Sequence, residues 1–164
     1  MQQFLLENNS SYSQWRDQKL CDYPETVEQL IVNISNPYKL TIDEKNTLLC
    51  ICQKTNLVFY KVAHKYVEDK NIVFALSKQL GFAQTDTNLC ADQDRISSIQ
   101  VVGNGKRSAY IPYTNKPLNW HTDGYYNQDE HRIRAFLMHC VRPAHSGGDN
   151  TYLDPEIVYI LLRD

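Results

Sequence analysis

The residues best suited to chemistry lie in one run, Pro117-Leu118-Asn119-Trp120-His121-Thr122-Asp123-Gly124-Tyr125-Tyr126-Asn127. On extended backbone, residues i and i+2 face the same way, so the imidazole of His121 and the carboxylate of Asp123 point together. An imidazole and a carboxylate are two members of the facial triad that holds non-haem iron(II). Such a triad covers one face of the metal and leaves the other open to a cosubstrate and O2. His-x-Asp alone arises often by chance, and a hydrogen-bonded surface pair is its ordinary role. Its neighbourhood therefore decides its meaning.

The elements that must position this run divide the chain in two. Helical patterns prevail early. Ser11 to Leu20 reads as a short helix, and Gln29 to Ile34 as a strand ended by Asn36-Pro37. Thr41-Ile42-Asp43-Glu44 fits a capping box, and its helix places Leu48, Ile51 and Cys52 on one face. Leu57 to Val62 has strand composition. A second helix carries Val73, Leu76 and Leu80, with Gly81 placed to end it.

From about Ile96 the pattern predicts strands: Ile96 to Val102, Tyr110 to Tyr113, and most clearly Ile133 to Val141, expected to be central and buried on both faces. Gly103-Asn104-Gly105 and Gly147-Gly148 read as turns. Asp154-Pro155 starts a last helix, Asp as N-cap and Pro at its first position. Helices followed by strands imply an α+β fold in one domain over residues 1–164.

Bulk properties exclude several classes. The chain is 42% hydrophobic and 22% charged, which is that of a globular domain rather than a disordered or fibrous one. A net charge of -2, without basic blocks, gives no sign of a nucleic-acid partner. No run approaches a membrane span or a targeting signal, so the expected location is the cytoplasm. The five cysteines form no disulfide or zinc pattern and read as reduced structural thiols.

With these elements in place, Trp120-His121-Thr122-Asp123, a following strand, then Ser146-Gly147-Gly148-Asp149-Asn150 and a short helix resemble the taurine dioxygenase (TauD/TfdA) family, best over about Ile111 to Asp164. The resemblance implies a distorted double-stranded β-helix, a cupin-like jelly roll preceded by N-terminal helices. It implies iron(II), 2-oxoglutarate and O2 as cofactor and cosubstrates. The reaction implied is hydroxylation of a small organic substrate, with decarboxylation of 2-oxoglutarate to succinate. His121 and Asp123 become iron ligands. Asn150 or Thr151 becomes a contact for 2-oxoglutarate, the family often having Thr directly after Gly-Gly-acid. Turn capping is an equal reading for Asn150.

The resemblance also implies a distal histidine and an arginine that no residue here matches. The chain then reads as an incomplete piece of the jelly roll, inactive by itself, with Tyr159, Ile160 and Leu162 of the last helix more exposed than in a complete relative. Asn119, Tyr113 and Tyr125 are candidate substrate contacts, while Trp120 is expected to pack inward. His139 reads as a satisfied core histidine, and His64, His131 and His145 as bystanders. Lys106 and Arg107 read as a solvated hairpin tip. The partner is a small molecule, and a homo-oligomer stays open. The rival reading is a non-catalytic or differently metallated cupin-like metal-binding protein.

Overall fold

The computed structural model describes residues 2–82 and 96–164, which fall into two compact units. The first unit joins residues 2–81 to residues 139–164, and the second holds residue 82 and residues 96–138.

In the first unit, Asn8 caps helix α1 (Asn9–Leu20) by accepting the Ser11 N–H at 3.1 Å. Strand β1 (Ile31–Ile34) buries Val32 and Ile34 and turns Asn33 outward, the period-2 pattern of a one-sided strand. Helix α2 (Ile42–Thr55) carries the chain back, and strand β2 (Phe59–Val62) pairs in parallel with β1, Ile31 opposite Phe59 and Ile34 opposite Val62. A parallel pair needs a crossover of this length, and α2 supplies it. Helix α3 (Ile72–Gln79) buries Ile72 and Leu76 almost completely. These side chains, with Leu48, Val32 and Ile34, are among the buried apolar residues of the unit. Asn56, at φ +58°, ends α2.

The capping box forms as the sequence predicts. Thr41 Oγ accepts the Glu44 N–H at 3.1 Å, and Glu44 accepts the Thr41 N–H at 2.8 Å. The other Glu44 oxygen accepts the Ser35 N–H at 2.7 Å, joining the end of β1 to the start of α2. The Ser35 N–H, and then that of Thr41, hold the Glu44 carboxyl down to about 2. A carboxyl held below its ordinary value stabilises the fold above that value, and the contribution fades as pH falls from about 4.3 towards 2. Glu44→Ala is expected to cost about 1 kcal/mol at neutral pH. The gap in urea midpoint between variant and parent should shrink as the pH is lowered towards 2. A gap independent of pH would disprove the role of the ionised carboxylate.

Helix α4 (Pro155–Arg163) starts on Asp154, which accepts the Glu156 N–H at 2.9 Å, with Pro155 in the first turn as expected. Its body packs on α1 and the N-terminal residues. Tyr159 joins Phe4, Tyr12 and Trp15 in a ring cluster with centroids 5.1 to 6.2 Å apart. Arg163 lies 3.9 Å over the Tyr12 ring and donates to the carbonyls of Gln3, Leu5 and Leu6. Ile160 is therefore buried and Tyr159 half-buried, whereas Leu162 is 82% exposed.

The second unit departs furthest from the pattern. No strand forms there among the described residues. Residues 96–102 form no assigned strand, and the Val102 N–H donates to the Tyr113 carbonyl at 3.0 Å. Ile111–Tyr113 is a 3-10 turn, favoured by Pro112, whose fixed φ and missing N–H suit a helix start. Lys106–Ala109 is another, so Lys106 and Arg107 sit on a helical turn rather than a hairpin. Residues 133–141 adopt no assigned strand, and Phe136 is 53% exposed. A strand is completed by a neighbour that takes its N–H and C=O groups, and apolar composition cannot supply one.

Cys21, Cys50, Cys52 and Cys140 are free and exposed, and Cys90 lies outside the described residues.

Candidate metal centre

His121 and Asp123 sit on irregular backbone that enters a turn at Asp123, and their side chains meet, Nε2 to Oδ1 at 3.3 Å. They are 37% and 49% exposed, accessible to an ion from solvent. His121 Nδ1 lies 2.8 Å from the Asn119 carbonyl oxygen. A carbonyl only accepts, so Nδ1 carries the hydrogen, and in the neutral ring Nε2 keeps its lone pair. The lone pairs of Nε2 and of the Asp123 carboxylate then converge, an arrangement favoured only by positive charge between them. That charge is either a proton on the ring or a cation. Donors about 2.1 Å from one octahedral cation and at right angles to each other stand about 3.0 Å apart, close to the spacing found. Anchoring of the far ring nitrogen by a backbone carbonyl is also the usual support of a metal-bound histidine.

The turn that holds the pair is built locally. Gly124 has φ +66°, and a Cβ there would come within 2.8 Å of Asn127 Nδ2 and of the Ile133 side chain. Only glycine admits that approach. The Gly124 carbonyl accepts the Asn127 N–H at 2.8 Å, and Asn127 Nδ2 donates to the His131 carbonyl at 2.8 Å. Gly124 and Ile133 thus support the pair, a role the sequence signals only through Gly following Asp123 and the positive φ that glycine permits.

The other candidates are placed as follows. Asn119 contributes its backbone oxygen to His121, and Tyr125 is 76% exposed, edge-on to Tyr126 at 5.2 Å. Tyr113 is 4% exposed, with the Arg107 guanidinium 5.4 Å from its ring centroid. Trp120 is 69% exposed, against the inward packing expected, as no strand among the described residues lies alongside this segment to cover it. Among the described residues, no cluster of three or more His, Cys, Asp or Glu side chains is arranged to hold a metal.

Asn150 and Thr151 belong to the first unit, in the exposed segment between Gly148 and Asp154. Asn150 Nδ2 approaches the Gly148 carbonyl at 3.4 Å, a weak local turn contact. His139 has both nitrogens engaged, Nε2 with the Val67 carbonyl at 2.8 Å and Nδ1 with the Tyr60 hydroxyl at 3.1 Å. It also stacks on the Tyr60 ring at 5.9 Å. Burial raises the Tyr60 phenol well above its ordinary value, so its hydroxyl stays protonated and donates to Nδ1. His139 is thus structural, as its surroundings in the sequence predict. His64, His131 and His145 are exposed.

No helix among the described residues is long and apolar enough to cross a membrane. A family model described as taurine catabolism dioxygenase TauD, TfdA family matches residues 24–164. A uridine-5'-phosphate dioxygenase of Streptomyces sp is 30% identical over 115 residues, which are 62% of this chain and 40% of that protein. The chain thus spans about 40% of the length of this curated relative. No solved structure matches. The family match takes in His121, Asp123, Gly147, Gly148 and α4. By that extent of match, the chain belongs to the TauD/TfdA family of dioxygenases.

Proposed function

We propose that this chain carries part of the active site of an iron(II)- and 2-oxoglutarate-dependent dioxygenase that hydroxylates a small organic substrate. The observation that carries the reading is the His121–Asp123 pair, converging at 3.3 Å with the imidazole held by the Asn119 carbonyl. His121 Nε2 and Asp123 Oδ1 would hold the iron, whose chemistry when bound is the activation of O2 for oxidation of 2-oxoglutarate to succinate and of the substrate to its alcohol. The protein's own work is to fix the two donors, keep the imidazole in its Nδ1–H form and orient the organic molecules.

Asn150 or Thr151 would contact 2-oxoglutarate, each able to donate and accept a hydrogen bond. Asn119 and Tyr125, beside the pair in sequence, would meet the substrate. The fold that completes such a centre is a cupin-like jelly roll, which supplies a further histidine and a carboxylate-binding arginine. The cytoplasm provides the reduced iron and 2-oxoglutarate that the reaction needs.

The test is succinate formation by the full-length protein, supplied with iron(II), ascorbate, 2-oxoglutarate and a panel of candidate substrates. Uridine 5'-phosphate belongs in that panel because of the relative. Substrate-dependent succinate, with matching hydroxylated product, is the expected result. Tight metal binding without any succinate would instead favour a cupin-like metal-binding protein.

A further inference from the structure

Lys19 lies in the last turn of α1, before the region matched by the family, yet it is 6% exposed. Its ammonium donates to Asp154 Oδ2 at 2.8 Å, to Glu156 Oε2 at 2.5 Å and to the Lys54 carbonyl at 2.6 Å, so each of its hydrogens has an acceptor. Asp154, whose side chain is 6% exposed, also accepts from the Tyr23 hydroxyl at 2.8 Å and from Asn56 Nδ2 at 2.9 Å. Asn56 Nδ2 also reaches Glu156 Oε2 at 3.0 Å. Three places in the chain therefore meet at one buried carboxylate: the end of α1, the end of α2 and the start of α4.

Asp154 directly follows the segment with Asn150 and Thr151. Just before it, the Tyr152 ring sits edge-on to Phe59 of β2 at 6.0 Å. The far end of the segment is Gly147-Gly148, both at positive φ, a conformation that other residues rarely adopt. The segment is thus fastened at its C-terminal end, and the fastening is ionic and buried.

We propose that Lys19 is a positioning residue that, through Asp154, sets the placement of residues 149–151 and with it the affinity for 2-oxoglutarate. The second half of this statement rests on the assignment of Asn150 or Thr151 to the cosubstrate. Removing the ammonium leaves the Asp154 carboxylate without its cation, and the first turn of α4 loosens with the segment before it.

The experiment compares Lys19→Met with the parent in the full-length protein by two measurements. Amide hydrogen exchange is read at Glu156 and Val158, which donate to Asp154, and at Ala75 of α3 and Leu80 just after it as controls. The KM for 2-oxoglutarate is read alongside the affinity for manganese(II). The expected result is at least tenfold faster exchange at Glu156 and Val158 with Ala75 and Leu80 unchanged, and a KM raised severalfold with manganese(II) affinity unchanged. Equal acceleration in α3 and α4, or none in either, would overturn the proposal. Faster exchange confined to α4 with an unchanged KM would keep Lys19 as the fastening and overturn the cosubstrate assignment of Asn150 and Thr151 instead. If Lys19→Met does not fold, Tyr23→Phe removes one donor from Asp154 while keeping the ring. The same pattern is then expected at about threefold, and its absence counts against the proposal.

Discussion

Replacing His121 by alanine is expected to lower the affinity of the protein for iron(II), or for manganese(II) as a redox-silent probe, by at least about a hundredfold. Disturbing even a supporting residue of a metal site costs about tenfold to a hundredfold, and His121 is proposed as a ligand itself. Asp123→Asn should act in the same direction, since it removes the anionic donor and keeps the shape. His145→Ala, an exposed histidine in the loop before Gly147, is the control and should leave the affinity unchanged. Asn119→Ala should also leave it unchanged, because His121 uses the backbone oxygen of Asn119 and not its side chain. Calorimetric titration under anaerobic conditions reads all four. Unaltered metal affinity in both His121→Ala and Asp123→Asn would mean that the converging pair is only a surface ion pair.

Asp154→Ala is expected to destabilise the first unit by about 3 to 5 kcal/mol, the range for breaking one side of a buried ion pair. The variant strands the Lys19 ammonium, whose side chain is 4% exposed, with only Glu156 and a carbonyl as partners. It also removes the cap of α4 and the acceptor for Tyr23 and Asn56. Burial by itself would raise the Asp154 carboxyl, but the hydrogen bonds from Lys19, Asn56 and Tyr23 outweigh it and hold it below its ordinary value. Its contribution is therefore present above the ordinary carboxylate range and lost as the pH falls through the lower folded value. The double variant Lys19→Met, Asp154→Ala should recover part of the loss, because no unpaired ammonium stays buried. Urea unfolding of the single and double variants measures the coupling. Losses that simply add would show that the two side chains do not act as a pair.

These two expectations stand at opposite ends of what the chain's order of residues reveals. His121 and Asp123 are separated by one residue, and their side chains meet on irregular backbone rather than on the extended strand that the alternation rule supposes. The capping box at Thr41 and Glu44 and the Asp154-Pro155 start of α4 are equally local, and each forms where its residue types prescribe, while Gly147 and Gly148 take the positive φ that glycine permits. Helices close their hydrogen bonds within themselves, so α1, α2, α3 and α4 are legible from neighbouring residues. Strands close theirs on a distant partner. β1 and β2 find each other through the α2 crossover, whereas Ile96 to Val102 and Ile133 to Val141 carry the composition of strands and are not assigned as strands among the described residues.

The exposure of Trp120 and the burial of Tyr113 are likewise decided by what lies alongside, which residue type does not encode. Lys19 is the plainest case. In the sequence it is an ordinary basic residue near a helix end, where the dipole favours it. Its partner Glu156 lies 137 residues further on, and only the packing of α4 against α1 and α2 turns a surface charge into a buried fastening. The sequence by itself determined the caps that start the helices and named the residues of the candidate centre, because both are read over a few residues. The tertiary structure decided which charges are buried, which aromatic rings are covered and which extended segments become strands, because each of these needs a partner from elsewhere in the chain.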